Sequence, residues 1–240
     1  ATYLWNEDGT EATRAPGRGV KAAYVREGGT PFDVPSYGDC VACHGVGRNP
    51  VLGFGALQLS PDRDPNAPHA EARRADDVDL PTLAARGLLR GAPARLLSEP
   101  PRIAAATPRE RAALGYLHGN CAGCHRSGGP LDALALRFDQ RVGNGDVLGS
   151  SISAAALRAS LGAVGVGSVF QFRDAHERVK GGAPEASVLW RRMATRDRCA
   201  QMPPIGTNVC DEPSLALIAE WIRDDCSAPD KPLTPTAERR

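Results

Sequence analysis

The sequence predicts a mainly α-helical chain, with two small domains and long loops behind a short N-terminal β-hairpin. Three observations lead there. Four segments carry helix caps or helical apolar spacing. Twenty-six glycines and 20 prolines among 240 residues leave long turns between them. One five-residue cysteine motif occurs twice, at residues 40–44 and 121–125.

The chain opens on "TYLW" and "TEATR" around "NEDG", where Asp8-Gly9 signals a tight hairpin turn. "VKAAYV" (Val20 to Val25) offers a third strand, and "REGGTPFDVPSYGD" is rich in turns. After His44 a loop-like stretch holds one apolar patch, Val51 to Leu59. "DVDLPTLAARGLLRG" predicts a short helix from near Asp79 to Gly91. Proline-dense "GAPARLLSEPPRIAAA" reads as a connection and the best domain boundary. In "TPRERAALGYLHGNC" Thr107 caps a helix, Pro108 takes its first position and Glu110 completes a capping box. Ala113, Leu114 and Leu117 then lead towards Cys121. A Gly/Ala/Ser-rich segment to residue 168 carries little signal, and "RDAHERVK" reads as a solvated stretch. "APEASVLWRRMATR" and "DEPSLALIAEWIRDDC" predict two more helices, the second with Leu215, Leu217, Ile218, Trp221 and Ile222 at helical spacing. The tail "SAPDKPLTPTAERR" reads as disordered or loosely draped. The expected organisation is a hairpin extension over 1–29, domains over 30–106 and 107–226, and a tail over 227–240.

Composition narrows the functions. Twenty-nine basic residues against 28 acidic ones argue against a nucleic-acid or membrane-surface partner. No apolar run is long enough to span a bilayer. The polar opening "ATYLWNEDGTEAT" holds no signal peptide, as in a mature chain or one whose leader was removed. Aromatic side chains are scarce, with Phe 5, Trp 3 and Tyr 4. A turn-rich chain with so few large apolar groups struggles to offset the entropy of folding, so something else supplies core volume. Seven cysteines also need explaining.

Four of those cysteines form "CVACH" (Cys40, Cys43, His44) and "CAGCH" (Cys121, Cys124, His125). C-x-x-C-H is the attachment signature of c-type haem. Two thiols three residues apart each add to one vinyl group of a porphyrin edge, and the histidine is carried beneath the ring to bind iron. Coincidence is a poor rival: this chain's Cys and His frequencies give about 0.004 chance matches, and two at roughly 10⁻⁵. A zinc site of Cys40, Cys43, Cys121 and Cys124 would put its pairs 78 residues apart, much further than in zinc ribbons, and needs no histidine. A thioredoxin-like redox pair would not recur with His both times.

Met202, one of two methionines, lies in "RDRCAQMPPIGTNVC". A flexible thioether is wasted in so stiff a loop unless its sulfur must be presented in one position. Methionine sulfur commonly closes the sixth position of a His-ligated haem, and Met202 follows His125 by 77 residues. Cys199 and Cys210 bracket the loop, and a disulfide between them would restrain it. Cys226 could pair with Cys210 instead, or stay free.

On "YLHGNCAGCH", "QMPPIGT" and "LALIAEWI" the chain resembles class I c-type cytochromes, which run from a helix into C-x-x-C-H, through a late methionine loop, to a closing amphipathic helix. With "FDVPSYGDCVACH" and "VLGFGALQLS" added, it resembles bacterial dihaem cytochrome domains. The resemblance implies two haem c groups and electron transfer in an exported, periplasmic protein, with a redox protein partner such as a periplasmic dehydrogenase, oxidase or reductase. Residues 30–107 contain no methionine, a departure from the pattern. His69 is the first choice for the sixth ligand at the first haem, with Met193, His118, His176 or an open site as alternatives. An open site would fit a dihaem peroxidase-like enzyme or a ligand sensor rather than a carrier.

Overall fold

Asn6 to Thr10 reverse the chain and start the first of three β-ribbons. The computed structural model describes residues 1–25, 29–45, 53–140, 142 and 161–227. Strand β1 (Tyr3–Trp5) pairs antiparallel with β2 (Ala12–Arg14). Gly9 takes φ +67° in the turn, a state that costs glycine little. This is the expected hairpin. Strand β3 (Val20–Val25) also forms, but it does not join β1 and β2. It pairs with β4 (Pro31–Val34), from the stretch read as turns.

The mainly α expectation is overturned. The fold is mixed α/β, with six short α-helices and three two-stranded sheets among the described residues. Glycine and proline cut the helices short. Helix α1 (Tyr37–His44) starts from a full capping box between Ser36 and Asp39. Helix α2 (Leu80–Ala85) starts at the Asp79 cap but stops well before Gly91, because Gly87 turns left-handed at φ +70°. A single short helix, α3 (Ala94–Ser98), lies in the proline-dense connection. Only α4 (Pro108–Cys121) reaches 14 residues. The third ribbon, β5 (Gly167–Phe172) with β6 (Ala175–Glu177), forms where no strand was expected. Its strand "GSVFQF" alternates exposed and half-buried residues, the period-two pattern of a sheet with one covered face. Helices α5 (Val188–Ala194) and α6 (Glu212–Glu220) follow, and α6 opens into a π-helical turn over Trp221–Asp225. No helix among the described residues is long and apolar enough to cross a membrane. The expected disordered tail lies outside the described residues, apart from Ser227.

The core belongs to the C-terminal part. Leu114 and Leu117 of α4 join Ile218, Trp221 and Ile222, all at most 1% exposed. Among the described residues before Pro101, only Val34, Asp79 and Leu80 are fully buried. One end of the α4–α6 pair is fastened by polar groups. The Thr107 hydroxyl accepts from Glu110 N at 3.0 Å and donates to Asp225 at 3.0 Å. Arg109 Nε donates to the other Asp225 oxygen at 2.7 Å. Glu110 reaches back past the cap, accepting from Ala106 N at 2.7 Å. Trp221→Ala removes the largest fully buried side chain, so the variant should lose about 3–5 kcal/mol of stability. Urea unfolding followed by circular dichroism reads this as a lowered midpoint; an unshifted midpoint would contradict the placement of this core.

Candidate functional site

Helix α4 carries the second cysteine motif to the wall of a cavity. Cys121 is its last residue, and the Cys124 and His125 amides both return to the Cys121 carbonyl, at 3.2 and 2.9 Å. C-x-x-C-H is thus folded as one turn, and Cys121, Cys124 and His125 line the same cavity. That cavity holds about 170 Å³ and opens to solvent on one side. Leu136, Phe138, Ala163, Val179 and Leu189 make much of its wall. The Phe138 ring meets His125 edge-on, with centroids 5.7 Å apart.

Met202 lines this cavity too, although 77 residues separate it from His125. Its loop is held by more than its prolines. Met202 N donates to the Arg192 carbonyl at 2.8 Å. Gln201, buried inside the loop, donates to the Pro203 carbonyl at 3.2 Å. Arg196 donates to Thr207 at 2.8 Å and to the Met193 carbonyl, while the Thr207 hydroxyl donates to the Pro203 carbonyl at 3.1 Å. The N-terminal ribbon closes the outside: Asn208 Nδ2 donates to the Pro31 carbonyl at 2.8 Å, and Arg198 lies 3.9 Å from Asp33.

The titratable groups are tuned by burial. Burial pulls His125 below its usual range, the Leu136 backbone opposes this, and the Arg192 and Arg178 charges add to the lowering. The ring is therefore neutral near pH 7, as a metal ligand must be. His125 Nδ1 is buried without a hydrogen bond of ordinary geometry. Burial, and then Cys124, pushes the Cys121 thiol up to about 12. Burial and the Asp211 charge push Tyr116, also in the wall, up to about 12.

The chain matches no family model, no curated protein and no solved structure. The donor set itself is the test of fit for a haem. Among the described residues no three His, Cys, Asp or Glu side chains gather into a metal cage. An iron already held by four porphyrin nitrogens needs only two protein atoms, and His125 and Met202 are one imidazole and one thioether on one apolar cavity. The thiols of Cys121 and Cys124 stand in its wall. The C-terminal residues fit the group.

The other expected residues are placed differently. Cys40, Cys43 and His44 lie on α1, with His44 exposed beside an exposed Tyr37 and Val41. His69 does not face that helix by any described bond; its Nε2 lies 2.9 Å from Asp211, the cap of α6 and part of the C-terminal cavity wall. Burial alone would raise Asp211, but the His69 and Ser214 hydrogen bonds outweigh it and hold the carboxyl below its usual range. Met193, 8% exposed, lines the same C-terminal cavity. His118 Nδ1 accepts from Gln140 N at 3.1 Å, and His176 bonds Gln171 across the third ribbon at 3.2 Å. The expected Cys199–Cys210 disulfide is corrected: both are free thiols, and Cys210 donates to the Ala194 carbonyl at 3.3 Å. Arg178, Arg192, Arg196, Gln201 and Thr207 were not singled out in the sequence. The close run of Arg191, Arg192 and Arg196 around Met193, just before the methionine loop, was the available signal.

Proposed function

We propose that this chain is a dihaem c-type electron carrier of an exported, periplasmic compartment. The observation that supports it is the meeting of Cys121, Cys124, His125 and Met202 on one largely apolar cavity. Bound there, a haem supplies a one-electron ferrous/ferric couple. Cys121 and Cys124 would hold it covalently, and His125 and Met202 would bind its iron. The hydrogen bonds of Gln201, Arg196 and Thr207 keep the sulfur in place. The apolar walls exclude water, which favours the less charged ferrous state. Cys40, Cys43 and His44, on α1, would hold the first haem. The partner is a redox protein, such as a periplasmic dehydrogenase, oxidase or reductase.

A peroxidase-like or sensing role at the first haem is the second reading. The exposure of His44 and the seating of His69 at Asp211 favour it. One preparation tests both. The chain exported from a host with haem-attachment machinery should carry two porphyrin masses on intact mass spectrometry. Its ferric EPR spectrum should show two low-spin centres for a carrier. A high-spin centre that binds cyanide rapidly favours the second reading, and an intact mass without porphyrin ends both.

A further inference from the structure

The cavity wall carries three guanidinium groups, from Arg178, Arg192 and Arg196, and one carboxylate, from Asp211. Asp211 is engaged by His69. Two of the arginines spend their terminal nitrogens on the protein. Arg178 donates to the Gly162 and Leu134 carbonyls, both at 2.6 Å. Arg196 donates to Thr207 and to the Met193 carbonyl.

Arg192 is different. Its Nε donates to the Ala200 carbonyl at 2.7 Å, and its guanidinium lies 4.2 Å over the Phe170 ring. Among the described residues, Nη1 and Nη2 have no hydrogen-bond or ion-pair partner. Burial lowers its pKa, with no acid to offset the effect. A half-buried cation without a counter-ion is costly unless a ligand supplies the charge. Three positive groups against one negative leave a surplus of two, which matches a macrocycle carrying two carboxylates.

We propose that Arg192 is the cavity's anion anchor: its Nη1–Nη2 fork would take one carboxylate of a bound porphyrin as a bidentate pair, and its charge would raise the reduction potential of that group. This rests on reading the cavity as a haem site. The fork matches a carboxylate as an ammonium cannot, and the Phe170 ring and Ala200 carbonyl hold it in position. A nearby positive charge disfavours the ferric state, which carries one more positive charge than the ferrous.

The test uses the holoprotein and its Arg192→Gln and Arg192→Lys variants in potentiometric titrations followed by absorption. Arg192→Gln should lower the ferrous-to-ferric ratio of the Met-ligated centre about tenfold at a fixed potential, equivalent to ~59 mV for one electron. Arg192→Lys keeps the charge but loses the fork, so it should fall by a smaller factor. Both should keep the sulfur-to-iron absorption band. If Arg192→Gln does not fold or load, Arg192→Lys decides alone. An unchanged ratio with the Met-ligated spectrum intact overturns the anchor and leaves the carrier reading standing. Absence of covalent porphyrin from the wild-type chain overturns that reading instead.

Discussion

Met202→Ala should leave porphyrin on Cys121 and Cys124 while removing one axial ligand from the C-terminal centre. The expected result is loss of the weak sulfur-to-iron charge-transfer band and conversion of one ferric centre from low to high spin by EPR. The potential should fall as well, because a thioether favours the ferrous state. A shift on the order of a hundredfold in the ferrous-to-ferric ratio, roughly two decades of ~59 mV, is the scale at stake. The reason is local. The loop is bonded through Met202 N, Gln201, Arg196 and Thr207, so it can persist without the side chain. The substitution then removes a ligand rather than a fold. Survival of the band with Met202 gone would show that another sulfur, of which Met193 is the nearest candidate in the same cavity, closes the site.

The second large effect falls on Cys121 and Cys124. Replacing both by alanine should leave one porphyrin mass where the proposed dihaem chain should show two. It should also destabilise the C-terminal part. Without porphyrin the largely apolar wall of the cavity stands open to solvent, so the variant loses the burial of that wall. Thermal melts followed at the α-helical circular dichroism signal measure this. Two retained porphyrins, or an unchanged melt, would contradict the assignment of these cysteines.

The placement of the second motif was more legible in the sequence than the fold. C-x-x-C-H calls for thiols and imidazole on one turn, and at residues 121–125 that turn forms. Met202 was singled out because prolines around a methionine conflict with the usual reason for having one, and the structure brings it to the cavity that His125 lines. Helix α4 was legible from Thr107, Pro108 and Glu110, a strictly local signal. The ribbons were harder. β4 follows glycines and begins at a proline, so its local propensity reads as turn. β5 alternates as a strand should, yet it holds Gly167, Ser168 and Gln171 and was absorbed into a polar, glycine-rich background. The seating of His69 could not be read at all, since its partner Asp211 lies 142 residues away and such pairings leave no trace in spacing.

The π-helical turn at Trp221–Asp225 has its own consequence. There the Cys226 amide returns to the Trp221 carbonyl, five residues back, at 3.0 Å. One extra residue per turn retards the helix's angular phase, and Trp221, Ile222, Asp225 and Cys226 are all buried there. Asp225 thereby meets Thr107 and Arg109 at the far end of the helix that terminates in Cys121. The π-turn thus ties the C-terminal helix to the start of the helix whose last residue is the first thiol of the motif.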